Sequence, residues 1–523
     1  MTALSAAAPP ARVGGKLLRG DFVMADPGRP DAGLIAGGAV VLEGDRVVAV
    51  GRFDELHRRY PGFEVLGGDG RLVMPGLVDS HHHGWGLSPF QLGALDEYLE
   101  LWLVDLMSLP PLDPYLEALH AAMKLIRSGV TSVAHFGISR DFGNLETETR
   151  EALRAYDDAG LAVAYAVPSR DRNSFVYEDD ERFLSRLPDP VAGAARAASA
   201  EIEWPTAEQS LGLARELARS YSSHRGIDVL VCAEGPEWCT DELLVAVRET
   251  ATDLGTGMHV HVLESPHQRE FLRREYGRAP LEHLDGLGVL GPDVAIAHAV
   301  WLCGEEIELC ARRGVSTAHN PSSNLRLCCG VLPLAEMLES GVNVGLGTDS
   351  TCLNDDDDML QEMRLAAKLH RMPRGLDRGW RPASLDVLRM ATVNGAPVLG
   401  REGAGALTPG APADAVLVDL AAASAPYVAP DAGVVDVLLY RAGRAHVDTV
   451  VIGGEVVLSG GRFTRLDEER VHARLAEAAR APRSAPAARW RDALTALRPH
   501  VERFYAGWPQ PEWEPGYRPN SPR

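Results

Sequence analysis

The chain has 523 residues, of which 46% are hydrophobic, and its formal net charge at pH 7 is −21. A chain of this length can bury a large core, with room for one large domain and a smaller one. The strong negative charge makes nucleic acid and anionic membranes poor partners, and no apolar run approaches the length of a membrane span.

The seven cysteines are few for this length and lack any Cys-x-x-Cys spacing, which argues against a disulfide framework or a thiolate zinc site. The first twelve residues are rich in Ala and Pro and contain no uninterrupted apolar core of the kind found in signal peptides. The sequence therefore predicts a soluble, cytoplasmic protein.

The first predicted elements, in residues 13–70, are short hairpin strands joined by Gly and Asp turns. The clearest part is residues 37–50, where two apolar runs flank the turn Glu43-Gly44-Asp45. Residues 405–464 show the same pattern. Because two β-rich flanks around a central unit can pair, we predict one small β-sandwich domain built from both chain ends.

A buried strand is predicted over residues 72–79, and it is followed by His81, His82 and His83. Side chains two residues apart on a strand point to the same face, so His81 and His83 can bind one metal ion while His82 faces away and serves the structure. By itself, this motif is equally compatible with a solvated or packed pair of histidines.

Between about residues 130 and 350 one unit recurs, in which a helix ends in Gly and an apolar strand follows at once. The central region, residues 71–404, is therefore predicted to be an α/β domain with eight strands and helices between them, a (β/α)8 TIM barrel. A doubly wound open sheet is the alternative, but no Gly-rich phosphate loop follows any strand. The predicted strands are 72–79, 130–137, 161–168, 227–234, 257–263, 294–300, 314–318 and 342–348.

The chain ends in an extension, residues 465–523, that is predicted to be helical at first and then contains Pro and Trp. A docking segment and a partly disordered end are both compatible with this composition. The sequence assigns no function to the extension.

In a (β/α)8 barrel, the catalytic side chains lie at the C-terminal ends of the strands. His81 and His83 follow the first predicted strand, His261 and His298 lie on the fifth and sixth, and Asp349 ends the eighth. Imidazoles together with a carboxylate suit one divalent ion, with zinc expected and ferrous iron as the alternative. The pKa of a water on such an ion can fall to about 7, which makes hydroxide available at neutral pH.

Two of these side chains are candidates for proton transfer. Glu264 lies three residues after His261, just beyond the strand end, from which it can move protons between the water and a leaving group. A solvated loop carboxylate and a packed core histidine are the ordinary interpretations of Glu264 and His298 taken singly. Within this set of residues we interpret both as catalytic.

Further residues near the predicted strand ends are candidates for binding substrate. Glu234 ends the fourth predicted strand, where it can pair with Arg170 or Arg172 at the end of the third. The aromatic and histidine candidates can equally be packing residues. The full set of predicted substrate-binding residues is Trp85, Gln91, His135, Arg170, Glu234, His259 and His319.

Several of these motifs together resemble the amidohydrolase superfamily, and in particular its cytosine deaminase/chlorohydrolase-like branch, over roughly residues 35–460. The resemblance implies a metal bound by His81, His83, His261 and Asp349. It also implies that Glu264, His298 and Asp349 handle protons and orient the hydroxide. The motifs are Pro-Gly-Leu-Val-Asp-Ser-His-His-His at 75–83, His261-x-x-Glu264, His298, His-Asn-Pro-Ser-Ser-Asn-Leu at 319–325 and Leu-Gly-Thr-Asp at 346–349.

The resemblance also bears on the number of metal ions. Dinuclear members of the superfamily bridge two ions with a carboxylated lysine at the end of strand 4, but this chain has no lysine between Lys124 and Lys368. We therefore predict a mononuclear site. The Pro-Cys-x-x-Cys motif of the other zinc deaminase fold is also absent from the sequence.

The resemblance implies a hydrolase of non-peptide carbon–nitrogen bonds, in which hydroxide attacks an sp² carbon and ammonia leaves a small nitrogen-rich heterocycle or an amidine. Many adenosine-type relatives have a substrate-binding His on strand 4, where this chain has Glu234 or a close neighbour, which argues against purine nucleosides. A carboxylate at that position would instead suit a substrate with an amino, amidine or guanidine group. Loss of an amine or chloride, or opening of a cyclic amide, is the alternative reaction. A non-catalytic metal-stabilised scaffold is the alternative from another class, and a homo-oligomer is expected only by analogy.

Overall fold

The computed structural model describes residues 14–138, 142–350, 356–371 and 380–508. The predictions made for the first twelve residues, for residue 13 and for the end of the C-terminal extension lie outside these ranges. The described chain begins with a series of short strands, and one short helix, α1 (Phe53–Arg59), lies between the fifth and the sixth. The strands are β1 (Lys16–Arg19), β2 (Phe22–Met24), β3 (Leu34–Ala36), β4 (Gly38–Glu43), β5 (Arg46–Arg52), β6 (Glu64–Gly67) and β7 (Arg71–Pro75).

Eight parallel strands form the central sheet, and they follow one another in chain order. The last strand lies against the first, because Thr348 Oγ1 donates to the Asp79 carboxylate at 2.6 Å and the Asp349 amide donates to the His81 carbonyl at 2.9 Å. The predicted (β/α)8 barrel is therefore confirmed. Its strands are β8 (Leu77–His82), β9 (Val130–Phe136), β10 (Ala162–Val167), β11 (Ile227–Ala233), β12 (Met258–Val262), β13 (Val294–His298), β14 (Ser316–His319) and β15 (Asn343–Leu346).

Helices connect these strands, and Gly ends several of them as predicted: Gly160 and Gly314 have φ angles of +74° and +71°, in the left-handed region that suits a residue without Cβ. The helices are α2 (Leu99–Met107), α3 (Pro114–Arg127), α4 (Leu145–Ala159), α5 (Asp180–Leu184), α6 (Asp189–Ser199), α7 (Ala207–Ser220), α8 (Asp241–Leu254), α9 (Pro266–Tyr276), α10 (Pro280–Gly286), α11 (Gly304–Arg313), α12 (Pro321–Arg326), α13 (Leu334–Glu339), α14 (Met359–Leu369), α15 (Ser384–Met390) and α16 (Gly395–Leu399).

Strands from both chain ends form two further sheets. The later elements are β16 (Ala415–Asp419), α17 (Leu420–Ser424), α18 (Val434–Arg441), β17 (Val447–Ile452), β18 (Glu455–Ser459) and β19 (Arg462–Phe463). One sheet has the order β5-β4-β1-β6, and the other has the order β19-β18-β17-β16-β7-β2-β3, which joins the two ends of the chain. Side chains of both sheets share one core, which includes Leu18, Val40, Val73, Leu417 and Val451.

The chain passes from this β-domain into the barrel at Gly76, so the segment predicted as one strand at 72–79 is in fact two strands. β7 pairs with β16 of the flanking sheet, whereas β8 pairs with β9 of the barrel. A Cβ atom on Gly76 would lie 1.9 Å from Thr131 Oγ1, so only glycine allows this close crossing. We propose three parts as the domains of the chain. Residues 13–70 and 405–464 form the β-domain, residues 71–404 form the barrel, and residues 465–523 form the C-terminal extension.

Two helices follow the β-domain: α19 (Glu468–Arg480) and α20 (Ala485–Ala506). α19 packs on α3, and α20 packs on α2 and α6. The inward face of α20 is apolar at helical spacing, with Leu494, Leu497, Val501 and Tyr505 buried. Among the described residues, no helix is both long enough and apolar enough to cross a membrane.

Candidate metal centre and active site

Five side chains from four barrel strands converge at the C-terminal end of the barrel. The ring centroids of His83, His261 and His298 lie 4.9, 5.0 and 5.2 Å from that of His81. Asp349 Oδ1 lies 3.1 Å from His81 Nε2 and 3.0 Å from His83 Nε2. Two overlapping groups, His81-His83-His261 and His81-His298-Asp349, each offer donor atoms within 4.8 Å of one another.

The donor atoms of this cluster fit a metal ion. Both ring nitrogens of His81 and Oδ1 of Asp349 are buried and make no hydrogen bond within the part of the chain that the structure describes. Buried polar atoms in proteins almost always have a partner, and a cation would provide one here. Imidazole nitrogens with one carboxylate oxygen are a donor set that suits a borderline divalent ion.

Hydrogen bonds fix the orientation of three of the imidazoles. Nδ1–H of His83 donates to the Phe136 carbonyl at 2.9 Å, and Nδ1–H of His261 donates to the Glu234 carbonyl at 2.7 Å. Nδ1–H of His298 donates to Asn324 Oδ1 at 2.9 Å. Each ring therefore presents its unprotonated Nε2 to the centre, as a metal ligand or a hydrogen-bond acceptor requires.

The neighbours of Asp349 shift its pKa. Burial alone would raise the pKa of Asp349, but His81 and His298 nearby hold it well below its ordinary value. The backbone at His298 and Asp349 is strained, with φ angles of +70° and +55°. Such left-handed conformations at non-glycine residues are uncommon and concentrate at functional sites.

Glu264 is a buried carboxyl beside this cluster. Its Oε1 lies 3.5 Å from His298 Nδ1 and accepts a hydrogen bond from Cys329 Sγ at 3.6 Å. Burial, together with the negative charges of Asp349 and Glu100, raises the pKa of Glu264 well above its ordinary value. A carboxyl in this condition can carry a proton at neutral pH.

The predicted substrate-binding residues divide by position. Trp85 stacks on His83 with ring centroids 4.9 Å apart. Trp85, His83 and His135 line one small cavity of about 50 Å³. His135 is hydrogen-bonded to Tyr156 Oη at 2.8 Å. Gln91 caps a turn instead, with Oε1 accepting from the Ser88 amide at 3.0 Å.

Two further histidines are paired away from the cluster. His259 Nε2–H donates to the Val398 carbonyl at 3.0 Å, so its ring is held by the barrel interior. His319 Nε2 lies 2.9 Å from His370 Nε2. The structure does not bring either residue into the group of candidate metal ligands.

Arg170 and Glu234 form the pair that the sequence analysis allowed, with Arg170 Nη1 donating to Glu234 Oε2 at 3.3 Å. Burial raises the pKa of Glu234, an effect that Arg170 opposes. We call the group His81, His83, His261, His298 and Asp349 the metal cluster. Glu234 contacts it, because the Glu234 backbone carbonyl accepts from the His261 ring.

Sequence reasoning did not identify Glu100, Asn324 and Cys329 as neighbours of the site. Asn324 lies within the quoted motif at 319–325, which could have indicated it. Glu100 is buried on α2 and accepts hydrogen bonds from Ser265 Oγ and from His267 Nδ1. Its sequence context is that of any acidic residue near a helix start, so no local signal marks it.

Comparison with known proteins places the chain among hydrolases. The model of the amidohydrolase family matches residues 72–457, and that of a bacterial imidazolonepropionase-like composite domain matches residues 38–62. The chain is 33% identical to a 5′-deoxyadenosine deaminase of Methanosarcina mazei over 451 residues, which are 84% of this chain and 93% of the relative. It is 31% identical to a 5-methylthioadenosine/S-adenosylhomocysteine deaminase of Pelotomaculum thermopropionicum, over 87% of this chain and 96% of that one.

Solved structures have the same fold. An adenosine deaminase from Xanthomonas campestris with bound zinc matches with a TM-score of 0.72 at 24% identity, covering 92% of this chain and 98% of its own. A variant of atrazine chlorohydrolase from Arthrobacter aurescens, complexed with zinc and atraton, matches with a TM-score of 0.76 at 23% identity, covering 89% and 100%. With the family model spanning most of its length, the chain belongs to the amidohydrolase family.

Proposed function

We propose that His81, His83, His261 and Asp349 bind a single divalent ion, with zinc first and ferrous iron as the alternative. The observation that carries the proposal is the convergence of these residues with buried donor atoms that lack hydrogen bonds. The zinc named with the solved neighbours supports the choice of metal. A mononuclear site agrees with the absence of lysine between Lys124 and Lys368.

The protein is a metal-dependent aminohydrolase, which hydrolyses carbon–nitrogen bonds other than peptide bonds. The bound ion would lower the pKa of a water and so supply the nucleophile. Glu264, whose raised pKa keeps it able to hold a proton, would transfer that proton to the departing nitrogen. His298, held by Asn324 through Nδ1–H, would accept a hydrogen bond from the attacking water at Nε2 and so orient it.

The deaminase names of the relatives favour an amino-substituted nitrogen heterocycle, with adenine derivatives as the first class to test. Glu234 distinguishes this chain from the adenosine-type pattern, and its carboxylate suits an amino or amidine group on the substrate. We propose that Trp85, His135, Arg170 and Glu234 bind substrate. Gln91, His259 and His319 are our second choice as substrate-binding residues. We also propose that the protein is cytoplasmic and forms a homo-oligomer.

The function is tested by metal analysis combined with an ammonia-release assay over amino-purines, amino-pyrimidines, triazines and guanidines. We expect one metal ion per chain and ammonia release from at least one class. Chelation should abolish the release, and added zinc should restore it. Full metal occupancy without turnover across the panel would favour the non-catalytic scaffold.

Glu234→Gln is expected to weaken the binding of a cationic substrate about tenfold more than that of a neutral analogue. The reason is that glutamine keeps the shape and removes the charge, and a factor of ten corresponds to about 1.4 kcal/mol. The measurement is KM for an amidine or guanidine substrate and for its uncharged isostere. Equal effects on the two compounds would restrict Glu234 to its pairing with Arg170.

A further inference from the structure

A second cavity, with an internal volume of about 70 Å³, lies between α2, the segment that follows β10, and α20 of the C-terminal extension. We call it the aromatic chamber, because its wall includes the side chains Phe175, Trp204, Trp238, Trp490 and Tyr505. The metal cluster does not use these aromatic residues.

The aromatic chamber adjoins the metal cluster. Glu234 lines the chamber, and its backbone carbonyl accepts from the His261 ring at 2.7 Å. Glu100 also lines the chamber and accepts from Ser265 Oγ, next to Glu264 in the chain. Glu234 therefore belongs to the chamber wall and also contacts the candidate metal ligand His261.

α20 is fixed in place as one wall of the chamber. Trp490 Nε1 donates to the Met107 carbonyl at 3.0 Å, and Arg498 Nε donates to Asp105 Oδ1 at 2.9 Å. At the far end of the helix, Tyr505 Oη accepts from the Tyr177 amide at 3.1 Å. These bonds tie the extension to the barrel at both ends of α20.

The chemistry of the wall differs between its two ends. Near the metal cluster it is polar, with Arg170 paired to Glu234 and Glu100 bonded to Ser265 and His267. Towards α20 it is aromatic and aliphatic, and the ring centroids of Trp490 and Trp204 stand 6.5 Å apart. This arrangement suits a ligand with a polar head and an apolar ring.

We propose that the aromatic chamber binds an apolar, ring-sized group joined to the reacting head of the substrate, and that α20 sets this specificity. The inference rests on the proposed function, because the head must reach the metal cluster. It assigns the C-terminal extension a role in substrate selection.

The test compares 9-methyladenine with 9-benzyladenine, which share one head and differ by an apolar ring. Their substituent is at N9, where the adenosine-type compounds named for the relatives also carry theirs. Binding to the metal-loaded full-length protein is measured by calorimetry, without reliance on turnover. We expect 9-benzyladenine to bind at least about tenfold more tightly, because its phenyl ring is buried.

Two chamber variants and one control locate the effect. Trp490→Ala and Trp204→Ala should each reduce the benzyl preference towards unity and leave the affinity for 9-methyladenine unchanged. Trp508→Ala is the matched control, because Trp508 packs beside Tyr505, with ring centroids 5.3 Å apart, outside the chamber wall. It should keep the full preference, and thermal unfolding of all variants would verify that they fold.

Equal affinities for the two compounds, failure of both to bind, or an unchanged preference in both chamber variants would overturn the proposal. A benzyl preference without ammonia release from either compound would leave the chamber assignment standing and contradict the proposed reaction on adenines. Ammonia release from 9-methyladenine without a benzyl preference would do the reverse.

Discussion

Glu264→Gln is expected to lower kcat by about 10²–10⁴-fold, the usual contribution of a general acid–base residue, while the protein keeps its metal. Glutamine fills the same space but cannot accept or release a proton at neutral pH. Glu264 lies beside the candidate ligands without being one of the clustered donors, so metal binding should survive. The measurements are kcat on the best substrate of the panel and metal content per chain.

Glu362→Gln is the matched control for this variant. Glu362 is also a buried carboxyl, and burial raises its pKa to about 8, in the same direction as the pKa of Glu264. It accepts from the Ser322 amide at 2.8 Å and has no part in the proposed reaction. Glu362→Gln should therefore keep nearly full activity. An undiminished rate in Glu264→Gln would remove Glu264 from the mechanism.

The order of elements and the position of the candidate site were accessible from the sequence, because both depend on local patterns. A helix ending in Gly before an apolar strand reports the βα repeat, as at Gly160 and Gly314. A histidine at the end of such a strand lies at the C-terminal face of the barrel wherever the strand is in the order. His261 and His298 could thus be grouped without knowledge of their distance.

Features of the fold that depend on pairing between distant segments could not be predicted from local sequence patterns. The division of 72–79 at Gly76 arises because β7 finds its partner in β16, more than three hundred residues later. The docking of α20 against α2 likewise follows from side-chain fit that no spacing reports. The aromatic chamber is formed in part by that docking, so no sequence motif predicts it.

His259 illustrates the limit of strand periodicity. It lies two residues before His261, and alternation along β12 predicts the same face for both. The structure separates them by depth: the His261 ring sits in the metal cluster, while the His259 ring donates to the Val398 carbonyl. Periodicity identifies the face of a strand, but only the neighbours at each level of the barrel decide what a side chain meets.

This difference in depth makes the pair a sharp test of the metal centre. His261→Ala is expected to abolish metal binding and turnover together, because it removes one of the imidazoles that surround His81. Loss of a mere supporting residue typically costs 10–100-fold in metal affinity, so loss of a ligand should cost more than about 100-fold. The measurements are metal content after gel filtration and kcat with zinc added back.

His259→Gln is the control on the same strand, since an amide can still donate to the Val398 carbonyl and no metal ligand is lost. It should retain stoichiometric metal and unchanged kcat. Added zinc should raise the Tm of metal-free wild type and of His259→Gln, because a ligand that binds only the folded state stabilises it, but not that of His261→Ala. Full metal occupancy in His261→Ala would place the ion elsewhere, and equal loss in both variants would point to general damage to the barrel.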